Sequence, residues 1–478
     1  MPYEAVIGLE IHVQLNCATK MFCSCANRPG DKPNSNICPI CIWLPGAIPQ
    51  FSQDALEHAA AVCLALNCEL QQESAFDQKV YYYPDLPKGF QLSQHHRPLS
   101  RHGWLDIMGE DGNSRRLRIR HIHMEEDVAK LVHETEGQTR ISLVDFNRAG
   151  TPLVEIVTDP DMRSPHDAMA FLRTLRTQIR YVGAAECSME SGTMRCDANI
   201  SLRPLGSQEL TTKVEVKNMN SIKAVGSAIA YEIERQTMLL DEGKPVIMHT
   251  RLWDPEKNST SPMRAKFSGP CVPDPTVPRI VLSEEWISRM RSRLPEMPAQ
   301  KQSRFIQEYH LSDEEAGLMS ADRDVADYFE ALVRENVSSR IASQWILTRL
   351  LPALRERQQE ISETMVTPQR TAALLAMIER EEINVKAARE IFADMFETEK
   401  SPAEIVKEKG IKQIGDADEL DTILDTILAD NADAVTSLRR GNKKVAGFLI
   451  GQAMKASAGK ANPKILATLL SRKLGLEC

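Results

Sequence analysis

Glu10 and His12 stand in Gly8-Leu9-Glu10-Ile11-His12, each separated from the next polar residue by an apolar one. Side chains two apart in a strand share a face, so a carboxylate and an imidazole would meet on one surface. Together they can grip a divalent cation or move a proton. Just beyond, Cys23-x-Cys25 and Cys38-x-x-Cys41 have the pair-gap-pair spacing of a tetrahedral zinc site. The twelve residues between the pairs include Asn27, Pro29, Gly30, Asp31, Pro33 and Asn34, turn formers that suit a small knuckle. Four sulfurs close such a site and leave no open position, so its expected role is structural.

A second constellation is His121-Ile122-His123-Met124-Glu125-Glu126-Asp127, three consecutive carboxylates after a strand-like alternation. With Glu10 and His12 it suits Mg²⁺, which takes carboxylates and water; read alone, an acidic triplet is usually a solvated turn. Asp145–Glu155 joins a turn to a strand carrying another acid, Glu155, and Glu190–Asn199 brings Arg195, Asp197 and Asn199 together. Lys213, Glu215 and Lys217 share one strand face. Such a face is either simply wet or, beside the acids above, suited to ATP, with lysines on phosphates and acids on the metal. Neither a G-x-x-x-x-G-K-[S/T] loop nor a G-x-G-x-x-G turn occurs, so a nucleotide site must have another architecture. Tyr81-Tyr82-Tyr83 uses three of the eight tyrosines, either lining a polar channel or packing as an aromatic hairpin.

The elements that must position these groups change near residue 290. Before it, alternations at 5–15, 117–123, 139–144, 152–157, 198–202 and 212–216 predict a largely antiparallel sheet. Helices are expected over 54–66, 165–182 and 221–241. After about 295 the chain reads as helical, with caps at Ser312-Asp313-Glu314-Glu315, Ser320-Ala321-Asp322 and Thr367-Pro368-Gln369 and the capping box Ser401-x-x-Glu404. The expected organisation is therefore α+β: a sheet-based domain at 1–293, an all-α domain at 294–402 and a small all-α tail at 403–478.

With 478 residues, several domains are expected; a formal charge of −8 argues against a uniformly basic nucleic-acid coat. The tail, however, is polarised. Acids including Asp416, Asp418, Glu419, Asp421 and Asp425 precede Arg439, Arg440, Lys443, Lys444, Lys455, Lys460, Lys464, Arg472 and Lys473, which meet only Glu477. Such a basic end is either a solvated face or a contact for RNA phosphates. No apolar run is long enough to cross a bilayer, and the N-terminus lacks signal-peptide character, so the expectation is cytoplasmic, with no membrane partner. Eleven cysteines then favour metal binding over disulfides.

Taken together these motifs resemble the B subunit of the tRNA-dependent amidotransferases that make Gln-tRNA(Gln) or Asn-tRNA(Asn). The likeness runs through Val6–His12, Tyr83–Gly89, Ile122–Asp127, Asp145–Val157 and Met194–Asn199 to Gly447–Lys455 and Gly459–Pro463, in order along the whole chain. It implies a cradle-like catalytic domain that uses ATP and Mg²⁺ to phosphorylate the side-chain carboxylate of Glu-tRNA(Gln) or Asp-tRNA(Asn). Ammonia from a partner amidase (A) subunit then displaces phosphate, and the complex is steadied by a small C subunit. By this resemblance Glu10, His12, Glu125 and Glu155 hold Mg²⁺ and act in catalysis, with Glu126 and Asp197 behind them. Lys79, Tyr81, Tyr83 and Lys88 line the ammonia route; Arg195, Lys213 and Lys217 contact phosphates; Cys23, Cys25, Cys38 and Cys41 hold zinc; and the basic tail reaches the tRNA. One departure stands out: Phe267–Pro275 replaces an acidic, then Tyr-Arg-Tyr-Phe-Pro segment, removing an arginine suited to a carboxylate or phosphate. The alternatives are a diverged paralogue activating another carboxylate and a non-catalytic zinc-stabilised tRNA-binding protein.

Overall fold

The computed structural model describes residues 3–28, 30–136, 139–263, 269–410, 417–439, 444–457, 461 and 463–474. Pro29, Phe267, Ser268, Asp416, Arg440, Lys443, Gly459, Lys460, Asn462 and Glu477, invoked above, lie outside the described residues. So do the side chains of Asp418, Glu419, Arg439, Lys444 and Lys464. The chain divides into two compact units, Met1–Met297 and Pro298–Cys478.

Among the described residues, the first unit is built on a thirteen-stranded sheet. Its main strands are β1 (Tyr3–Gln14), β2 (Glu73–Val80), β3 (Phe90–Arg97), β4 (Ser100–Met108), β5 (Ser114–Glu126), β6 (Pro152–Thr158), β7 (Met194–Pro204), β8 (Val214–Met219), β9 (Thr250–Asp254), β10 (Ser259–Pro262) and β11 (Cys271–Pro273). They lie in the order β10-β9-β8-β7-β1-β6-β5-β3-β2-β11, with β4 paired to β5. Among these pairings only β8–β9 is parallel, as the alternating, turn-punctuated text predicts. Along β1, Ile7, Leu9, Ile11 and Val13 are buried, while Glu10, His12 and Gln14 retain exposure. The apolar face packs into one core with three helices, α1 (Gln53–Ala65), α2 (Pro165–Tyr181) and α3 (Ile222–Asp241). The polar face is thereby left for chemistry.

Serine side chains cap all three helices, Ser52 at Ala55, Ser164 at Asp167 and Ser221 at Ala224. On α3, fully buried Glu232 pairs with Arg235 at 2.8 Å and Arg251 at 3.0 Å and accepts from Thr260, stitching the helix to β9 and β10. Burial alone would raise the Glu232 pKa, but Arg235 and Thr260 hold it below the usual range. A depressed folded-state pKa contributes stability above the unfolded value near 4.3 and loses it as pH falls further. Glu232→Ala is therefore expected to cost about 3–5 kcal/mol at pH 7, by stranding buried Arg251. Urea unfolding should show that difference narrowing below roughly pH 4; an equal loss at all pH values refutes the ionic origin.

The second unit is helical and contains two buried apolar clusters, one drawn from Phe305 to Ile405, the other from Leu420 to Leu470. Ser312 and Ser401 form capping boxes with Glu315 and Glu404, Asp322 caps the helix Arg323–Arg334, and Thr367 caps one that begins with Pro368. The helical text of 339–351 is interrupted by a wider turn at Ile346–Leu350. In the tail the two charge blocks partly meet: Lys473 lies 2.7 Å from Asp421 and also pairs with Asp425, and Arg472 lies 3.5 Å from Asp421. Some of the basic charge is thus balanced internally. Among the described residues no helix is long and apolar enough to cross a membrane.

Candidate active site

Strand register assembles the site. His12 on β1 lies opposite Glu155 on β6, and Glu155 lies opposite His123 on β5. His12 Nε2 approaches Glu125 Oε1 at 3.2 Å and Glu155 Oε2 at 3.5 Å; His123 Nε2 lies 3.0 Å from Glu155 Oε2. Burial alone would depress His12, but Glu125 and Glu155 outweigh it and lift its pKa to about 10. The same competition raises His123, while the two histidines hold Glu155 well below the carboxylate range. Positive charge is thus strongly favoured between these carboxylates. One ligand atom each from His12, Glu125 and Glu155 falls within 4.8 Å of the others, and Glu125 Oε2 is buried without a hydrogen-bond partner. This donor set fits a divalent cation, whose uptake would require His12 to release its proton.

Glu10 does not join that group. It lies opposite Asp197 and, with Asp197 and Glu215, forms a second acidic group within the same 4.8 Å limit. The single Mg²⁺ set expected from the sequence therefore divides in two along β1. The second group is all oxygen, a donor set that suits Mg²⁺. Asn199 donates to Glu10 at 2.9 Å, and Lys217 is held by Asp197 and by Glu215 at 2.9 Å. Burial opposes the Lys217 charge, but Asp197 and Glu215 raise its pKa overall. Beside Glu10 lies a cavity of ≈ 260 Å³ whose lining includes Gly8, Thr158, Asn199 and Lys213. Lys213 and Lys217 thus flank the second group.

Arg195, assigned to phosphates, donates instead to Asp127 at 2.8 Å. Asp127 also accepts from Gln14 and lies 3.6 Å from Arg148, so the last acid of the triplet is a buried clamp. Glu126 and Glu125 are consecutive in β5 and point to opposite faces. Glu126 accordingly leaves the histidine cluster, pairs with Lys88 and accepts from Leu92 N–H at 2.9 Å. Lys79 stays on the Glu125 side: burial lowers its pKa, but Glu125 and Glu155 raise it more. Tyr81 donates to Gln91, which donates to the Glu126 carbonyl, linking the two sides; burial pushes the Tyr81 hydroxyl pKa up. Tyr83 is exposed.

The four knuckle cysteines bring their sulfurs within 4.8 Å of one another, a fit for tetrahedral zinc. A hydrogen bond from Cys23 draws Cys41 down to about 5 against burial, aided by the Cys38 N–H and Lys20. Burial pushes Cys25 up to about 11, and Cys23 rises through its bond to Cys41. The knuckle loop is stapled to Asp145–Asn147: Asn34 N–H and Asn36 N–H donate to Asp145 and Asn147 side chains, and Asn147 donates back to Lys32 O. Fully buried Lys20 crosses between them, donating to Asn36 O at 2.8 Å and Phe146 O at 3.0 Å.

A family profile described as the GatB/GatE catalytic domain matches residues 5–288, the part that carries both clusters. The chain belongs to the GatB family. A second GatB domain profile matches 327–474. The chain is 62% identical over 474 residues to an aspartyl/glutamyl-tRNA(Asn/Gln) amidotransferase B subunit of Syntrophus aciditrophicus, covering 99% of each. It is 43% identical to the corresponding protein of Carboxydothermus hydrogenoformans over 99% of each chain, and 44% identical to that of Geobacter sulfurreducens over 99% of this chain and 100% of the relative. Within this GatB chain the altered segment forms an added edge: Gly269 N–H bonds Val80 O, and Cys271 lies opposite Lys79. Phe267 and Ser268 of that segment lie outside the described residues. His123 and Glu215, which stand in the sequence motifs but to which the resemblance gave no role, take part as well: His123 lies 3.0 Å from Glu155, and Glu215 completes the group with Glu10 and Asp197.

Proposed function

We propose that the chain is the B subunit of a tRNA-dependent amidotransferase that phosphorylates the side-chain carboxylate of Glu-tRNA(Gln) or Asp-tRNA(Asn) with ATP. Ammonia from a partner amidase then displaces the phosphate, the complex is steadied by a small C subunit, and the basic tail contacts the tRNA. The observation that carries this reading is the pair of acidic groups, His12–Glu125–Glu155 and Glu10–Asp197–Glu215, on one sheet face. Each has the donors for a divalent cation, which when bound would neutralise phosphate charge during transfer. Glu10 and His12 are two residues apart, about 7 Å along β1, a separation suited to bracketing a polyphosphate. Lys213 and Lys217 would orient its oxygens. A carboxylate oxygen of the substrate attacks the γ-phosphorus as the bond to ADP breaks; ammonia then attacks the acyl carbon, phosphate leaves, and a proton is shed. Lys79, half-buried on the Glu125 side, would bind the substrate carboxylate or its phosphate.

The test supplies Glu-tRNA(Gln) and Asp-tRNA(Asn) separately to the chain co-purified with amidase and C subunits, with glutamine and Mg²⁺, with and without ATP. ATP-dependent formation of glutamine or asparagine on the tRNA is expected. Binding of both tRNAs with neither product would instead assign the altered 267–275 segment to a different acceptor.

A further inference from the structure

Trp43 follows the Cys38–Cys41 turn in an unusual conformation. Its φ is 56°, in the left-handed region that a bulky residue seldom occupies, and its N–H bonds Ile40 O at 3.0 Å inside the turn. The strain persists only where surroundings over-determine it. Here they do: the indole meets Phe90 edge-on, with centroids 5.2 Å apart and planes at 86°. The Lys88 ammonium lies 5.3 Å from the Trp43 ring centroid and 5.2 Å from that of Phe90, and its salt bridge goes to Glu126. The Lys88 side chain is only 8% exposed as a result. Beside it is a cavity of ≈ 10 Å³ bounded by Trp43, Lys88, Leu92 and Glu126, about the room one water-sized molecule needs.

We propose that Trp43 is a positioning residue: its ring, aimed by the knuckle, holds the Lys88 ammonium against Glu126 at the border of this small cavity. Two aromatic faces favour a desolvated ammonium, and without the indole the four-carbon stem of Lys88 is free to swing towards solvent. The consequence for amidation rests on the reading of Lys88 as part of the ammonia route.

The full chain carrying Trp43→Gly, Trp43→Phe or Trp43→Leu separates the two. Glycine relieves the positive φ, so the fold should be kept, as thermal melting checks. Lys88 acetylation by an N-hydroxysuccinimide ester, read by peptide mass spectrometry on the chain alone, should rise about fivefold or more in Trp43→Gly. Trp43→Leu should behave likewise, and Trp43→Phe, which keeps a ring, should restore protection. In the assembled complex, kcat for glutamine-dependent amidation should fall roughly tenfold in Trp43→Gly, while KM for ATP and the rate of carboxylate phosphorylation stay unchanged. Unchanged Lys88 labelling in Trp43→Gly overturns the proposal. Raised labelling with undiminished amidation upholds the hold of Trp43 on Lys88 and removes Lys88 from the ammonia route.

Discussion

Glu125→Gln should lower carboxylate phosphorylation by roughly a thousandfold or more, since a charge that offsets transferring phosphate supplies several kcal/mol. Glu125 supplies the carboxylate nearest His12 Nε2, at 3.2 Å, and its buried Oε2 has no hydrogen-bond partner, with His123 Nε2 at 3.9 Å. Glutamine keeps the shape but replaces an anionic donor with an amide that adds N–H groups among His12 and His123. Those two would then share one carboxylate, Glu155, and their protonation would weaken. Because the change is isosteric, melting temperature and tRNA binding should stay near the parent values, and the partner's glutaminase should be spared. Phosphorylation is measured as transfer of labelled γ-phosphate to aminoacyl-tRNA; near-normal transfer refutes the assignment.

The second large effect concerns the knuckle. Structural zinc in small peptides contributes on the order of 10 kcal/mol to folding. Here the loop keeps its bonds to Asp145–Asn147, so Cys38→Ser is expected to remove about 3 kcal/mol or more, a fall in Tm of roughly 6–12 °C. Proteolysis should nick residues 23–41 first. Phosphorylation per folded molecule should persist, since the two acidic groups lie on β1, β5, β6, β7 and β8, whereas glutamine-dependent amidation should fall with the loss of Trp43 alignment. A variant that melts like the parent yet cannot phosphorylate would make the cysteines catalytic rather than structural.

What was legible in the sequence was periodicity. The alternation Leu9-Glu10-Ile11-His12 put both polar groups on the solvent side of β1, and Ser164 before Pro165 marked the start of α2. What was not legible was register between strands far apart in the chain. Glu10 faces Asp197 while His12 faces Glu155, and no local pattern dictates which distant strand flanks which side. That is why one expected metal set became two. The apolar alternation that marks the strand stops at His123, which leaves Glu126 grouped with Glu125; once β5 runs through Glu126, alternation alone separates them. Arg195 illustrates another limit, for its partner Asp127 stands out in the sequence only as part of an acidic run. Trp43 gave no signal at all, since a positive φ at a tryptophan is imposed by packing rather than by residue type.

The position of β1 has a consequence for synthesis. It leaves the ribosome well before its neighbours, β6 at 152–158 and β7 at 194–204. At about 5–20 residues per second it waits roughly 10–40 s for its last partner. Through that interval an apolar, hydrogen-bond-hungry ribbon stands without a mate, open to chance pairing with other nascent chains. The strand that carries Glu10 and His12 is thus made before either partner and completed late, so shortages of chaperone should deplete this enzyme before they affect proteins whose strands pair with near neighbours.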